Sequence, residues 1–205
     1  QRNLLNENYP AENIHFVGNT MIDSQYFALQ KLDGNNVLER LGLTKKEYVL
    51  STVHRPSNVD DKQQMSDLMD IFYMISQHKT VVIPMHPRTK KNIENFGLDD
   101  KLNSIKNLVI TEPLGYLDFL SLMKNCDFVM TDSGRIQEET TALGVDCITI
   151  RTTTERPSTI EQGTNVLVQP NKLEIEEDID NLKEKLQTLK LEAQIDTSEK
   201  DRLVG

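Results

Sequence analysis

The sequence lacks the features that mark secreted, membrane-spanning and metal-binding proteins. It has no tryptophan, only two cysteines, and no apolar run of the roughly 18 residues that a membrane helix needs. Cys126 and Cys147 both lie in apolar sequence, which is typical of small buried side chains in a reducing compartment rather than of a disulfide or metal pair. No signal-peptide pattern opens the chain. We therefore expect a cytoplasmic protein.

Positive charge is also scarce. Lys and Arg number 23 against 32 Asp and Glu, which gives a formal net charge of -9 at pH 7. This balance argues against a nucleic-acid partner and against a membrane surface, because both attract clustered positive charge. A small anionic ligand stays compatible with the composition, since a local ring of Arg and His can bind it inside an acidic protein.

The common nucleotide-binding and metal-binding signatures are missing. The sequence contains neither a Walker phosphate loop nor a GxGxxG turn, which argues against a P-loop and against a usual dinucleotide site. His54 and His86 have no cysteine or carboxylate at ligand spacing, so we predict no metal site.

Apolar runs alternate with helical patterns along most of the chain. The predicted strands are Ile14–Val17, Tyr48–Val53, Thr80–Met85, Leu108–Ile110, Asp127–Thr131, Cys147–Ile150 and Asn165–Val168. The predicted helices are Leu4–Tyr9, Met21–Leu32, Val37–Leu41, Met65–Ile75, Lys90–Phe96, Tyr116–Lys124, Ile136–Leu143 and Lys172–Leu189. Strands that are apolar along their whole length are typical of a parallel sheet buried on both faces. We predict an α/β fold with such a sheet and helices on both of its faces.

The chain divides into three predicted segments. Residues 1–40 form a joining segment, residues 41–170 hold the sheet, and residues 171–205 form a charged helix with an acidic tail. The sequence opens in the middle of a pattern and without a methionine, so we expect it to be part of a longer protein.

Polar residues follow five of the predicted strands. The segments are His54-Arg55, His86-Pro87-Arg88, Pro113-Leu114, Ser133-Gly134-Arg135 and Arg151 to Arg156. The carboxyl ends of parallel strands share one edge of the sheet, so these five segments should line a single rim. A lone His or Arg after a strand is more often structural. Five such segments at one edge favour an anionic ligand, because Arg binds phosphate oxygens in pairs.

The turn from Thr131 to Glu139 is the leading candidate for a phosphate site. A strand, a small-residue turn and a helix direct backbone N–H groups and the positive end of a helix dipole to one spot. Ser133 adds a hydroxyl, and Gly134 lets the backbone approach a ligand closely. Glu139, one turn into the helix, is within reach of hydroxyls on a sugar joined to that phosphate. An ordinary turn in which Ser133 caps the helix is the alternative, and the local pattern does not separate the two.

Seven motifs, in order, resemble the UDP-N-acetylglucosamine 2-epimerase family. They are Gly18-Asn19-Thr20 with Ile22-Asp23, Thr52-Val53-His54-Arg55 with Asn58, His86-Pro87-Arg88, Glu112-Pro113-Leu114-Gly115-Tyr116, Thr131-Asp132-Ser133-Gly134, Gln137-Glu138-Glu139, and Thr154-Glu155-Arg156-Pro157 with Gly163. The resemblance implies a Rossmann-like domain that forms the C-terminal half of a GT-B-like two-domain enzyme. It implies a UDP-sugar in the cleft toward an N-terminal domain missing from this chain, no metal or NAD cofactor, and a homodimer at full length.

The resemblance implies an anion site at the rim. His54 would contact the diphosphate near the reacting bond. Ser133, Gly134 and the residue after it, Arg135, would cradle phosphate, and Arg156 would complete the anion site.

The rest of the nucleotide is assigned by the same resemblance. Glu139 would bind ribose hydroxyls, while the Leu114 backbone and Phe119 would hold the uracil. His86, with Arg88, would lie near a second UDP-sugar site through which bacterial members are activated.

Two positions depart from the family's pattern. The family usually has Glu where this chain has Ser57, which affects the support of His54. It usually has Gly where this chain has Arg135, which affects the close approach of backbone to phosphate. We predict that the guanidinium of Arg135 makes a direct or water-mediated contact with the diphosphate. The alternative is that it turns into solvent or pairs with Glu138 or Glu139.

The implied reaction converts UDP-N-acetylglucosamine into UDP-N-acetylmannosamine without hydrolysis. A carboxylate removes the proton at C2, UDP leaves by elimination, and the retained 2-acetamidoglucal takes UDP back. The family's proton-transferring carboxylates lie in its N-terminal domain, so we expect this chain to bind UDP without turnover. Three alternatives stay open: the hydrolysing relative that releases N-acetylmannosamine and UDP, a non-catalytic nucleotide-sugar-binding module, and a GT-B glycosyltransferase of similar fold.

Overall fold

The computed structural model describes residues 2–15 and 17–168. The predicted helix at Lys172–Leu189 and the acidic tail lie outside the described residues, as does Phe16 within the first predicted strand.

Six parallel strands form one sheet. They are β1 (Tyr48–Thr52), β2 (Thr80–Pro84), β3 (Leu108–Thr111), β4 (Phe128–Thr131), β5 (Asp146–Ile150) and β6 (Asn165–Val168). Their order across the sheet is β3-β2-β1-β4-β5-β6. This is the Rossmann order, in which the strand order reverses between β1 and β4. The predicted parallel α/β sheet is confirmed, with small shifts in the strand bounds.

Helices connect the strands and precede the first of them. They are α1 (Arg2–Asn6), α2 (Thr20–Leu29), α3 (Val37–Arg40), α4 (Pro56–Val59), α5 (Lys62–Ser76), α6 (Pro87–Phe96), α7 (Asp99–Asn103), α8 (Tyr116–Asn125), α9 (Gly134–Leu143) and α10 (Ser158–Glu161), with a 3-10 turn at Ala11–Asn13. Three of these helices, α4, α7 and α10, were not predicted; each has only four or five residues.

The strand predicted at Ile14–Val17 is wrong. The described residues of that run are not in a strand, and the Val17 side chain is 71% exposed. A short apolar run becomes a stable strand only when a neighbouring strand pairs with its backbone groups. The six-stranded sheet contains no strand from this part of the chain.

Two apolar clusters hold the helices against opposite faces of the sheet. On one face Val49 and Val81 pack with the apolar stripe of α5, namely Met65, Leu68, Met69, Phe72 and Ile75. On the other face Leu50, Val82 and Val129 pack with side chains of α3, α8 and α9. Each large apolar side chain that is fully buried contributes about 1.5–3 kcal/mol. Helices on both faces were predicted, and the two clusters confirm them.

The two cysteines belong to the second cluster. Both are free and fully buried. Burial raises the pKa of each thiol to about 12, so neither is an ionised nucleophile at neutral pH.

The segment before the sheet packs on it. Val37 of α3 is buried in the second cluster, and Gln25 and Ala28 of α2 are also buried. The Gln25 side-chain amide donates to the backbone carbonyl of Glu139 at 3.0 Å. The boundary at residue 40 stays a prediction, but α2 directly supports the helix that follows β4.

Candidate functional site

The five polar segments lie at one edge of the sheet. They follow β1 to β5, and all five strands run parallel in a single sheet. The prediction that these five segments share one edge of the sheet is therefore confirmed. The centre of this rim is the gap between the ends of β1 and β4, where the order of strands reverses and α/β proteins bind their ligands.

Asp132 joins the two strands at this centre. Its side chain is fully buried, and Oδ2 accepts hydrogen bonds from the backbone N–H groups of His54 at 2.9 Å and Arg55 at 2.7 Å. The Asn58 side-chain amide donates to the same oxygen at 3.0 Å. One carboxylate thus fixes the turn after β1 against the end of β4.

His54 contacts the other oxygen of the same carboxylate. Its Nδ1 lies 3.2 Å from Asp132 Oδ1, and 47% of the imidazole side chain is exposed. The described residues give Nε2 no hydrogen-bond partner. Ser57, where the family's Glu was expected, is exposed and makes no side-chain hydrogen bond to His54. The support of His54 therefore comes from Asp132.

The amino end of α9 offers unused donors. Ser133 occupies the N-cap position, but its side chain makes no capping bond. The first N–H groups of a helix have no acceptor inside it, and those of Gly134 and Arg135 are bonded to no other described residue. The alternative in which the Ser133 hydroxyl caps the helix is not what the structure shows. These N–H groups and the hydroxyl are free to bind an anion.

Gly134 is not required by packing. A Cβ placed there would meet only Glu155 Oε2, at an ordinary contact distance of 3.5 Å. At position 163, by contrast, packing does require glycine, because a Cβ there would lie 2.4 Å from the Thr159 carbonyl oxygen. A ligand approaching the backbone is therefore the better physical reason for glycine at position 134.

Glu139 is a buried carboxylate one turn further along α9. Its side chain is 1% exposed, and Oε1 accepts from Tyr116 Oη at 2.9 Å and from Arg135 Nε at 3.1 Å. Oε2 is buried and has no hydrogen-bond partner in the described part of the chain. Burial, together with the bond to Glu139, raises the pKa of Tyr116, which stays a neutral donor. Because this oxygen is buried, a polar ligand group reaches it only when a side chain that covers it moves.

Arg135 adopts the alternative that the sequence left open, an ion pair with a neighbouring glutamate. It pairs with Glu139 at 3.0 Å, and its guanidinium lies 5.2 Å from the centre of the Tyr116 ring. About half of its side chain is exposed, at 48%. Because Nε and Nη2 donate to Glu139, a direct contact of these two atoms with a diphosphate requires the guanidinium to leave Glu139.

Each of the five rim arginines has a carboxylate partner. The pairs are Arg55–Glu155, Arg88–Asp60, Arg135–Glu139, Arg151–Glu155 and Arg156–Glu138. The bond from Arg151 holds the pKa of Glu155 down at about 2. Four carboxylates therefore pair with five arginines, since Glu155 serves two of them, and an anionic ligand competes with these carboxylates for the arginines.

Gln137 ties the segment after β5 to α9. Its side chain is fully buried, and Oε1 accepts from the Thr154 hydroxyl at 2.7 Å and from the Thr159 hydroxyl at 3.5 Å. This holds Glu155 and Arg156 near the amino end of α9.

Arg88 and His86 have local structural partners. Arg88 donates to both carboxylate oxygens of Asp60, and His86 Nδ1 accepts from the Arg88 backbone N–H at 3.1 Å, which caps α6. The His54 and His86 rings are 6.2 Å apart. The structure thus brings His86 to the rim beside His54 but leaves Arg88 occupied by Asp60.

Leu114 and Phe119 lie at the start of α8. Both are half-buried and pack against the second apolar cluster. Phe119 N donates to the Gly115 carbonyl oxygen at 3.0 Å, which joins the turn to the first turn of the helix. Leu114 and Phe119 lie on either side of Tyr116 in the sequence, and Tyr116 donates to Glu139.

Two further features bound the choice of ligand. Within residues 2–15 and 17–168, no three side chains of His, Cys, Asp or Glu come together in a way that could hold a metal ion. Over the same ranges, no helix has both the length and the apolar character to cross a membrane.

A cavity of about 400 Å³ also lies between α6, α7 and the end of β3, with Met85, Ile93, Leu102 and Ile110 among its lining.

Several functional contacts were missed by sequence reasoning. Asp132, Gln137 and Glu155 were quoted as motif residues without a role, and so was Tyr116, the first residue of a predicted helix. A charged residue directly after a buried strand, as Asp132 is, was the available signal. The partner across the sheet could not be known from spacing, since His54 and Asp132 are 78 positions apart.

Comparison with known proteins identifies similar chains. A family model described as UDP-N-acetylglucosamine 2-epimerase matches residues 1–200. The UDP-N-acetylglucosamine 2-epimerase of Methanocaldococcus jannaschii is 42% identical over 177 residues, which cover 84% of this chain and 48% of that protein. That of Methanococcus maripaludis is 41% identical over 170 residues, covering 80% and 46%.

A solved structure matches the fold over the same region. The crystal structure of the M. jannaschii enzyme in complex with UDP-GlcNAc and UDP aligns with a TM-score of 0.78 at 39% identity, covering 88% of this chain and 51% of that one. The chain thus spans about half the length of the curated relatives it matches.

Proposed function

The chain belongs to the UDP-N-acetylglucosamine 2-epimerase family, and we propose that it is the UDP-binding C-terminal part of a non-hydrolysing member. The proposed reaction interconverts UDP-N-acetylglucosamine and UDP-N-acetylmannosamine. The observation that carries the proposal is the amino end of α9, where free N–H groups stand one helical turn from a buried carboxylate oxygen without a partner. An anion joined to a hydroxyl-bearing sugar satisfies both at once.

The diphosphate is placed at the amino end of α9. The N–H groups of Gly134 and Arg135 and the Ser133 hydroxyl donate to its oxygens, in the field of the helix dipole. Because Gly134 has no side chain, the phosphate can approach the backbone closely. Arg135 and Arg156 add their charge from the two sides of this turn.

Binding requires the arginines to change partners. Ion pairs of exposed side chains are individually weak, because water screens them and ordering two long side chains costs entropy. Charge-assisted bonds from Arg to phosphate are stronger and frequently bidentate. The Glu155 side chain is 59% exposed, so its carboxylate can turn into water when a diphosphate takes over Arg55 and Arg151.

The ribose and uracil are placed along α8 and α9. Glu139 Oε2 accepts from a ribose hydroxyl, while Tyr116 holds the other oxygen of the carboxylate. The backbone of Leu114 offers hydrogen bonds to the uracil edge, and the half-buried Phe119 gives it an apolar surface. This sequence of contacts follows the rim outward from the diphosphate.

His54 is the proposed catalytic residue of this chain. At the end of β1 its exposed Nε2 faces the rim, and a proton or hydrogen bond from Nε2 to the diphosphate stabilises the charge that develops as the bond to C1 breaks. His86 lies beside it and is proposed to contact a second UDP-sugar. Because Arg88 is bound to Asp60, any contribution from Arg88 to that second site requires it to leave Asp60.

The proton transfer at C2 is assigned to carboxylates outside these 205 residues. The chain matches about half of each relative, and a GT-B-like enzyme encloses the sugar with a second domain. Several apolar side chains near the start of the chain are exposed, as expected where another domain packs. They are Leu4, Leu5, Tyr9, Val17 and Phe27.

Calorimetry with the 205-residue chain tests the proposal. UDP should bind, whereas incubation with UDP-N-acetylglucosamine should give no epimer. Arg135→Ala should weaken UDP binding by about 1–3 kcal/mol because a charge-assisted contact is lost, and Arg135→Gly should lose less because the backbone can approach again. Glu94→Gln, on the exposed side of α6, is the matched control and should bind as wild type.

Four outcomes would count against parts of this proposal. Absence of UDP binding removes the nucleotide site, and measurable epimerisation by the chain alone removes the need for a second domain. Equal, unchanged affinities of both Arg135 variants would make Arg135 a surface residue. For the full-length protein, release of free N-acetylmannosamine would show that the reaction is hydrolysis and not epimerisation.

A further inference from the structure

We propose that Asp132 is a positioning residue that fixes the proton of His54 on Nδ1 and thereby presents Nε2 to the ligand. The proposal rests on the proposed function only for the identity of that ligand, since the contact itself lies within this chain.

The two oxygens of Asp132 are in unequal situations. Oδ2 accepts three hydrogen bonds, two from backbone N–H groups and one from Asn58. Oδ1 is buried and receives no hydrogen bond of good geometry, although His54 Nδ1 lies 3.2 Å away. A buried carboxylate oxygen without a donor is unfavourable. A small rotation of the imidazole supplies the missing N–H.

The orientation of His54 is set from two sides. Its backbone N–H already donates to Oδ2 at 2.9 Å, which places the Cα beside the carboxylate. The ring then reaches Oδ1 of the same group. Because the backbone is bound to one oxygen of the buried carboxylate and Nδ1 of the ring lies 3.2 Å from the other, the imidazole presents the same nitrogen to the rim in each molecule.

The position of the ring proton follows from this contact. A neutral imidazole carries one N–H. The proton stays on the nitrogen whose neighbour can accept a hydrogen bond from it. A carboxylate accepts and cannot donate, so Nδ1 keeps the proton. When the ring is protonated, Nε2–H is the second donor and faces the diphosphate.

This arrangement suits proton transfer to the departing UDP. The N–H bond at Nε2 breaks, the proton passes to a diphosphate oxygen, and the electron pair stays on Nε2. The ring returns to the neutral form with its proton on Nδ1, without any rotation. The reverse step restores the proton as UDP adds back.

Histidine tautomers are measured directly on the ¹⁵N-labelled 205-residue chain without ligand. Long-range ¹H–¹⁵N spectra separate protonated from unprotonated ring nitrogens, and His54→Gln identifies the signals of this residue. In the neutral ring we expect the proton on Nδ1. In Asp132→Asn, where the amide carbonyl still accepts from the turn after β1 and the NH₂ faces Nδ1, the proton should move to Nε2.

Asn58→Ala is the matched control. It removes a partner of Oδ2 while leaving Oδ1 and the ring in place, so the proton should stay on Nδ1 even if the protein is less stable. A proton on Nε2 in the wild-type chain overturns the proposal, as does an unchanged tautomer in folded Asp132→Asn. If Asp132→Asn does not fold, the wild-type and Asn58→Ala spectra still decide. A failure to bind UDP would remove the proposed function without altering either tautomer.

Discussion

Replacing Glu139 by Gln should separate the ribose contact from the diphosphate contact. The carboxylate is buried, Tyr116 and Arg135 hold Oε1, and Oε2 is free. Gln keeps the shape and an oxygen for Tyr116, but it replaces the charged acceptor proposed for the ribose. A hydrogen bond to a charged group contributes about 1.5–3 kcal/mol. UDP affinity should therefore fall about 10- to 100-fold.

Inorganic pyrophosphate provides the internal comparison. It has no ribose, so it makes no use of Glu139. The loss of the negative charge also frees the Arg135 guanidinium, which now has only phosphate to pair with. Pyrophosphate should therefore bind Glu139→Gln as well as it binds wild type, or more tightly.

Isothermal titration calorimetry of both ligands against both proteins gives the test, with Glu94→Gln as the matched loss of one exposed carboxylate. The reasoning is refuted if UDP affinity is unchanged, since Glu139 would then make no ribose contact. It is refuted equally if UDP and pyrophosphate weaken by the same factor, because the residue would then act only on the phosphates or on the fold.

Two further predictions concern the structure around the site. Gly163→Ala should destabilise the chain by about 1–3 kcal/mol, because its Cβ would lie 2.4 Å from the Thr159 carbonyl oxygen. Gly115→Ala, with nothing within 4 Å, should change stability little in the same urea unfolding series, and equal losses would contradict the packing argument. Glu155 should stay ionised as the pH falls from 4.5, its ordinary pKa, toward about 2. The ion pair with Arg151 is therefore fully formed above pH 4.5 and is lost only as the pH falls toward about 2. Carboxyl ¹³C titration checks this, and an unchanged midpoint in Arg151→Gln would rule out the assigned cause.

The strands and the rim were predictable for a physical reason. Strands such as Val81–Ile83 and Val129–Met130 are buried on both faces and are apolar throughout, so their pattern differs from that of an exposed strand. Once the sheet is parallel, its carboxyl ends must lie together. The run at Ile14–Val17 has similar composition but no neighbouring strand in the described sheet, and composition alone cannot reveal that difference.

The contacts within the rim were not predictable from spacing. Asp132 holds a turn that lies 78 positions earlier, and Glu155 pairs with Arg55 as well as with the nearby Arg151. Such pairs depend on which side chains meet after folding. The motif residues themselves were found, but the structure was required to show which of them bind each other.

A crystal structure of the chain with UDP tests the central claim most directly. The account predicts diphosphate oxygens within hydrogen-bond distance of the N–H groups of Gly134 and Arg135, with a ribose hydroxyl on Glu139 and with Glu155 turned away from Arg151. UDP bound instead in the cavity between α6, α7 and β3, with the Arg151–Glu155 pair intact, would contradict it.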